Sequence, residues 1–254
     1  MTDSDTIARG FLAAHTANAP YEPPSASSAL AADQAHAIQR AFIALRGASD
    51  RVLGYKAAAN AAALQTALGL SSPITGALFA SGERAPGSSL ARGDYRNLLI
   101  ETEIGFRAAR RINARVNSLP ELRVATTTFA PMIELADPGF GRVRMTGTDL
   151  IAANAASAGF IRGPALQVGA LDINAVHVAL QHDGATLHEA QASDLLGDQW
   201  QALLWLVNRV VELGYVIELG QLLMTGALGP AHPAKQGEYV ATFTGMGEIR
   251  FRIA

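Results

Sequence analysis

An α+β fold is predicted by where two periodicities fall along the chain. Helical spacing of apolar residues is confined to the amino-terminal segment and one late stretch, whereas strand-like alternation fills the middle and the end. No regular strand–helix alternation runs through the sequence, which argues against a doubly wound sheet. With 254 residues, 49% of them hydrophobic and 17% charged, the chain can bury roughly 70–75% of its unfolded surface and build a substantial core.

Residues 4–18 and 29–46 read as helices. In the second, Leu30, Ala37, Ile38, Ala41, Phe42 and Leu45 recur at helical spacing, Ser27 or Ser28 supplies a cap, and Gly47 follows the end. The Pro20–Ser28 segment, with three prolines and three serines, joins the two. Arg51–Ala58 reads as a strand, Asn60–Leu68 as a short helix capped by Asn60, and Ser71-Ser72-Pro73 as a turn. From Leu98 to Arg107, Ile100, Thr102, Ile104 and Phe106 alternate on one face of a strand. Pro120–Phe129 reads as a helix, Pro131–Ala136 as a strand, and Thr148–Ser157 as a helix capped by Thr148. Asp183-Gly184 between Val176–Gln181 and Ala185–Gln191 is a strong hairpin signal. Asp198–Leu213 is the clearest amphipathic helix: Trp200, Leu203, Leu204, Val207, Val210 and Val211 share a face and Gly214 ends it. Gln221–Ala254 reads as three short strands. The division expected is a helical arm over 1–50 and a sheet domain over 51–254, within one structural unit.

Composition excludes several classes of function. Twenty Lys and Arg against 22 Asp and Glu leave a formal charge of −2, with no basic run suited to nucleic acid. There is no cysteine, so disulfides, thiolate nucleophiles and Cys-ligated metal are ruled out. The first residues carry Asp3 and Asp5 and lack the basic start and apolar run of a signal peptide. The longest uncharged apolar stretch, Leu150–Ile161, falls far short of the ~20 residues of a membrane span. A cytoplasmic protein is expected.

The residues suited to chemistry are carboxylates. Side chains two apart on a strand share a face, which sets Glu101 and Glu103 together with Cα atoms roughly 6.5–7 Å apart. Glu134 interrupts the apolar run Met132-Ile133-Glu134-Leu135, where a buried unpaired charge would be costly. Three such groups brought together repel one another, which raises their pKa values unless a cation neutralises them, and an all-oxygen set suits a hard ion such as magnesium or manganese. On spacing alone, a Glu-x-Glu pair reads more often as the wet face of an antiparallel sheet, and Glu134 as an arginine partner. His15, His36, His177, His182, His188 and His232 are scattered, with no His-Glu-x-x-His and no Gly-x-Ser-x-Gly. Pairing about Asp183-Gly184 would set His177 and His188 diagonally on one face of a solvated hairpin. Gly245-Met246-Gly247 is not a phosphate loop, because a strand follows it.

The segment Ile100-Glu101-Thr102-Glu103-Ile104-Gly105-Phe106 resembles the Glu-x-Glu-Ile-x-Phe signature of the fumarylacetoacetate hydrolase superfamily. An ordered set of further matches narrows the resemblance to its 2-keto-4-pentenoate hydratase and 4-oxalocrotonate decarboxylase branch. These are Gly54-Tyr55-Lys56 with Gln65 and Pro73-x-x-Gly76; Pro131-Met132-Ile133-Glu134 with Asp137; and Asp149-Leu150-Ile151-Ala152 with Asn154. Thr225-Gly226-Ala227 and Gly237-Glu238-Tyr239-Val240, leading to Gly245-Met246-Gly247, complete it.

The resemblance implies a mixed β-roll core with amino-terminal helices and one long inserted helix. It implies a divalent metal, Mg2+ or Mn2+, on Glu101, Glu103 and Glu134, with Lys56 as proton donor or carboxylate anchor. Asn154, Ser157, Thr225 and Gly226 would lie on the substrate side. The activity implied is a lyase hydrating a 2-hydroxyalka-2,4-dienoate to a 4-hydroxy-2-keto acid; the alternatives are decarboxylation of a 4-oxalocrotonate-like diacid or a silent partner subunit. A homo-oligomer, with or without a paralogous hydratase or decarboxylase chain, is expected. Three positions depart from the pattern. Ile74 stands where hydratases of the branch commonly carry Asp and decarboxylases more often an apolar residue. Ala153 replaces the Asp of Ala-Asp-Asn, and Pro138-Gly139 replaces a Ser-Arg pair.

Overall fold

A computed structural model describes residues 3–141 and 143–254. The chain opens with two helices, α1 (Asp3–Thr16) and α2 (Ala32–Gly47), followed by strand β1 (Val52–Ala58), the short helix α3 (Ala62–Leu68) and strand β2 (Ile74–Phe79). Two-residue strands β3 (Glu83–Arg84) and β4 (Ser89–Leu90) precede β5 (Leu99–Ala108), α4 (Leu119–Val124) and β6 (Thr126–Ala136). Then come α5 (Gly147–Ala152), β7 (Ser157–Arg162), β8 (Leu166–Gln167), the hairpin β9 (His177–His182) and β10 (Ala185–Gln191), and the long helix α6 (Gln199–Glu212). Strands β11 (Leu222–Met224), β12 (His232–Pro233), β13 (Gly237–Phe243) and β14 (Gly247–Ile253) close it.

A nine-stranded mixed sheet runs β2-β1-β11-β5-β6-β7-β3, with β12 added to β5 and β8 to β6. A second sheet, β10-β9-β13-β14-β4, packs against it. One face of the large sheet carries Tyr55, Ala77, Ile100, Ile104, Phe106, Ile133, Leu135 and Ile161, which join Val178, Leu180, Phe243 and Ile249 of the second sheet in the main core. Helix α6 inserts Trp200, Leu203, Leu206, Val207 and Val210 into the same core, its start capped by Asp198 and its end turned by Gly214 at φ +85°. On the other face, Leu78, Ala130, Met132, Phe160, Leu222 and Met224 form a smaller apolar cluster. The mixed β-roll predicted for the middle and end of the chain is the fold observed, with six α-helices among the described residues against two mixed sheets.

The amino-terminal helices do not stand apart from the sheet. Phe11, Ile38 and Phe42 share a cluster with Phe140, with Leu150 and Ile151 of α5, and with Ile74 of β2. Asp149 clamps this junction, accepting from Ser25 N at 2.9 Å, Ser25 Oγ at 2.5 Å and Thr146 N at 2.8 Å.

Several boundaries differ from expectation. Helix α2 is capped by Ala31 and not by Ser27 or Ser28, and Gly47 is its last residue. Helix α3 begins after Ala61, because the Asn60 side chain is engaged elsewhere, donating to Thr225 O at 3.0 Å. The helix expected over 120–129 stops at Val124: Thr126-Thr127-Thr128-Phe129 favours extended structure and starts β6. Pro131, inside that strand, falls between the stretches paired with β7 and β8, so its missing N–H costs no ladder bond. The helix expected over 148–157 ends at Ala152 and is capped by Thr146, whose box with Asp149 outcompetes Thr148. Asn154, Ala155 and Ala156 then take positive φ of 65°, 53° and 60°, and the chain turns into β7 at Ser157. The carboxy-terminal region holds four strands, since β12 adds two residues to β5. Among the described residues, no helix is long and apolar enough to cross a membrane.

Candidate metal centre

Three carboxylates meet on the face of the large sheet opposite the main core. In the antiparallel register of β5 and β6, Glu101 lies directly across from Glu134 and Glu103 across from Met132, so the alternation that buries Ile100, Thr102 and Ile104 turns all three glutamates to the other side. One oxygen of each falls within 4.8 Å of the others. This face is not a wet one: Glu103 and Glu134 are fully buried, and Glu101 alone keeps partial access to solvent. The apolar cluster of Met132, Phe160, Leu222 and Met224 flanks them, and the cross-strand pairing of like charges is unfavourable without a cation.

Lys56 is the fourth charged member. Strand β1 reaches the site through β11: Lys56 aligns with Met224, and Met224 with Gly105 of β5. Gly105 leaves room on this face, as a Cβ there would come 2.9 Å from Met132 Cγ. The ammonium is wholly buried and lies 2.7 Å from Glu134 Oε1. Gly54 is required for this strand pairing, since a Cβ would run into the Leu222 carbonyl.

The charges perturb one another strongly. Burial, then the Glu134 charge, pushes Glu101 up to about 7, with Lys56 opposing the shift. Burial and the charges of Glu134 and Glu101 raise Glu103 well above the usual carboxylate range. Burial alone would lower the Lys56 ammonium, but the surrounding glutamates outweigh it and raise it. Glu103 Oε2 accepts from Gly226 N at 3.0 Å, whereas Glu103 Oε1 and Glu134 Oε2 are buried without any hydrogen-bond partner. Unpartnered buried carboxylate oxygens, converging in a hard-donor set, fit a divalent cation.

The other residues singled out from the sequence occupy the surroundings. Gly226 supplies the backbone N–H on Glu103 at φ +112°, a conformation suited to glycine. The Thr225 hydroxyl is buried between Ile104 O at 3.1 Å and Gln199 Oε1 at 2.8 Å. Asn154 pairs with the backbone of Ala77 like an added strand: Oδ1 accepts from its N–H at 2.7 Å and Nδ2 donates to its carbonyl at 2.9 Å. Ser157 Oγ donates to the same carbonyl at 2.9 Å. Both side chains are thus spent on edge strand β2, with Ile74 at its start.

The histidine pair expected on the hairpin is not formed. A register shift in the hairpin sets His188 opposite Leu180, and its ring turns inward to meet Thr102 Oγ1 at 3.1 Å and His232 Nε2 at 2.9 Å. Because Thr102 donates to Leu228 O at 2.7 Å, it accepts from His188 Nε2–H, and His188 Nδ1 accepts from His232. This chain, which ties β5 from behind to the loop carrying Gly226, was missed from the sequence because its members lie on three distant segments.

A curled mixed sheet with a buried triple-glutamate cradle and one lysine defines the class: a member of the fumarylacetoacetate hydrolase superfamily. No family model matches the chain. It is 33% identical over 220 residues to 2-keto-4-pentenoate hydratase of Paraburkholderia phymatum, spanning 85% of this chain and 84% of the relative. The chain belongs to the 2-keto-4-pentenoate hydratase family, within the hydratase and decarboxylase branch of that superfamily. Its fold is that of 4-oxalocrotonate decarboxylase from Pseudomonas putida G7, solved with magnesium and adipate, with a TM-score of 0.93 at 20% identity over 100% of this chain and 99% of that one. Fumarylpyruvate hydrolase from Pseudomonas aeruginosa, solved with Mn2+ and pyruvate, shares the fold more loosely, with a TM-score of 0.60 at 16% identity over 79% of this chain and 88% of that one.

Proposed function

We propose that the protein is a metal-dependent lyase that hydrates a 2-hydroxyalka-2,4-dienoate to a 4-hydroxy-2-keto acid, with Glu101, Glu103 and Glu134 holding Mg2+ or Mn2+. The observation that carries this reading is the buried carboxylate triad, with two oxygens lacking any partner, in a chain of the hydratase family. A divalent cation bound there would act as a Lewis acid toward the substrate's carboxylate and 2-oxygen. Substrate enters from the side of Glu101, which alone of the three keeps contact with solvent.

Lys56 is the proposed proton donor. Its ammonium is held charged by the glutamates and fixed by the 2.7 Å contact with Glu134, ready to deliver a proton to carbon during ketonisation of the dienol. The 2-hydroxyl proton given up as the 2-keto group forms returns to Lys56; water then adds its oxygen at C4 and a proton at C3, so that one water is consumed and the lysine ends as it began. Gly226 orients Glu103, and Thr225 fixes the loop that presents it. Asn154 and Ser157 act on the substrate side through β2, whose backbone they hold.

A second reading, decarboxylation of a 4-oxalocrotonate-like diacid, is favoured by Ile74, which shares the face of β2 that carries Gly76 opposite Lys56 and offers no acid. Self-association through apolar surface such as Val124 and Leu219, which are 79% and 69% exposed, belongs to the same proposal, as does action in the cytoplasm on a small soluble acid.

Calorimetry of Mg2+ with and without oxalate, on the native protein and on Glu103→Gln, tests the site: binding strengthened by oxalate and abolished in the variant is expected. Loss of dienol absorbance against release of carbon dioxide then separates the two reactions. No turnover of either substrate by a protein that binds metal would leave a silent partner subunit.

A further inference from the structure

The three glutamates are placed by their strands, but the hydrogen bond that orients Glu103 comes from a loop. Glu103 Oε2 accepts from Gly226 N at 3.0 Å, which leaves Oε1 without a partner. That N–H belongs to the Thr225–Gly226 peptide, whose other polar group, the Thr225 carbonyl, accepts from Asn60 Nδ2 at 3.0 Å. One peptide unit therefore joins the Asn60 amide to the Glu103 carboxylate, and among the described residues no other donor meets its carbonyl. Thr225 is anchored to Ile104 O through its own N–H and its hydroxyl, both at 3.1 Å, but neither bond fixes the plane of the peptide that follows. Gly226, at φ +112° and without a Cβ, puts no steric bar in the way of that peptide turning over, which would set a carbonyl oxygen against the carboxylate.

The loop between β1 and α3 is shaped to deliver Asn60. Ala59 takes φ +55°, uncommon for a residue with a side chain. Gln65 of α3 holds the turn, donating from Nε2 to Ala59 O at 2.8 Å and to Asn60 O at 3.3 Å. The Asn60 amide rests against Gly226, where a Cβ would come 2.5 Å from Nδ2, 2.6 Å from Oδ1 and 2.7 Å from Cγ; the space a side chain would need is the space the amide fills. Asn60 Oδ1 is buried and has no partner, so only the donor half of this side chain is in use.

We infer that Asn60 is a positioning residue for the metal centre: it holds the Thr225–Gly226 peptide with its N–H on Glu103 Oε2 and so keeps Oε1 free for the cation. The role rests on the proposed function, in which Glu103 is a ligand. A carbonyl that accepts a hydrogen bond polarises its peptide and strengthens the N–H at the other end, and groups that orient a ligand from behind are worth about 10- to 100-fold in metal affinity.

Asn60→Leu removes the donor with little change in shape and, since Oδ1 is unpartnered, breaks this bond alone. Thr225-Gly226 is one of four Thr-Gly pairs in the chain, with Thr75-Gly76, Thr146-Gly147 and Thr244-Gly245, so labelling with carbonyl-13C threonine and 15N glycine reduces the amide spectrum to these pairs, and the Gly226 signal is the one lost in Thr225→Ser. In chelator, Asn60→Leu should speed hydrogen exchange at Gly226 by about tenfold or more while the other three signals hold, and calorimetry should show Mg2+ bound about 10- to 100-fold more weakly. Asn60→Asp, which also lacks the donor, should speed exchange at Gly226 alike and carries the test should Asn60→Leu fail to fold. Exchange at Gly226 within about twofold of the native protein overturns the inference, and so does faster exchange with Mg2+ affinity unchanged within the same margin. A rise in exchange at all four signals together with a lower melting temperature also overturns it, because that is the mark of a merely structural role. Mg2+ that fails to bind the native protein refutes the proposed function instead, and the Gly226 signal then still decides whether Asn60 holds the peptide.

Discussion

Lys56→Met isolates the balance of charge at the triad. The substitution keeps the length of the side chain and removes the ammonium beside three glutamates, breaking a contact of 2.7 Å between groups 1% and 0% exposed. Removing one partner of a buried ion pair costs about 3–5 kcal/mol, which in a chain of this size lowers the melting temperature by roughly 10 °C. The full cost is expected near pH 8 in chelator, where the glutamates must carry their charge uncompensated. Near pH 5.5 the deficit should shrink to less than half, because Glu101 and Glu103, already raised by burial and mutual repulsion, then take up protons. Magnesium should restore most of the loss near pH 8 and stabilise the variant more than the native protein, since it replaces the missing positive charge. Turnover should fall about 10²- to 10⁴-fold, the range for loss of a positioned proton donor. Differential scanning fluorimetry at both pH values, with chelator and with magnesium, measures all the stability arms. A deficit of equal size at the two pH values, or no deficit at all, would refute the claim that Lys56 serves to neutralise the triad.

The metal-free native protein should lose stability as pH rises. Carboxyl groups raised in the fold contribute stability that is complete below their ordinary value near 4.3 and lost as pH climbs through about 7 for Glu101, at about 1.4 kcal/mol per pH unit for each proton released; melts across that range with chelator should slope downward, and magnesium should flatten them. Gly226→Ala places a Cβ 2.5 Å from Asn60 Nδ2 on backbone at φ +112°, so it should cost about 1–3 kcal/mol and weaken magnesium binding, both measurable by melting and calorimetry. Asp149→Ala removes the acceptor shared by Ser25 and Thr146 and should cost about 2–3 kcal/mol, with faster proteolysis before residue 32 than elsewhere.

What could be read from sequence follows the range of the interactions involved. Alternation along one strand is local, so Glu101 and Glu103 could be set on one face, and the long amphipathic helix and the Asp183-Gly184 hairpin could be placed, from neighbouring residues alone. That the glutamate face is buried could not be read, because it depends on Met132, Phe160, Leu222 and Met224 arriving from three other strands. Lys56 entered the site only through the resemblance: nothing in Gly54-Tyr55-Lys56 says that its strand runs parallel to β11. Thr225, Asn154 and Ser157 were named as substrate-side residues without any sign that their polar atoms would be occupied by Gln199 and Ala77. The helix ends were misplaced where a competing cap lay one or two residues away, as with Thr146 against Thr148.

The position of β11 has a consequence for how the protein is made. In the large sheet β11 alone bridges β1 to β5, yet it is Leu222–Met224, more than 160 residues after Lys56 in a chain of 254. While the ribosome is still holding that segment, the lysine and the glutamates belong to two separate hairpins, and three carboxylates are on offer with no ammonium to meet them. Closing so long a loop is slow relative to forming β5 with β6. The nascent chain therefore passes through a stage in which the half-built cradle is acidic and the edges of β1 and β5 are open, and a divalent cation captured then would favour the docking that completes the sheet.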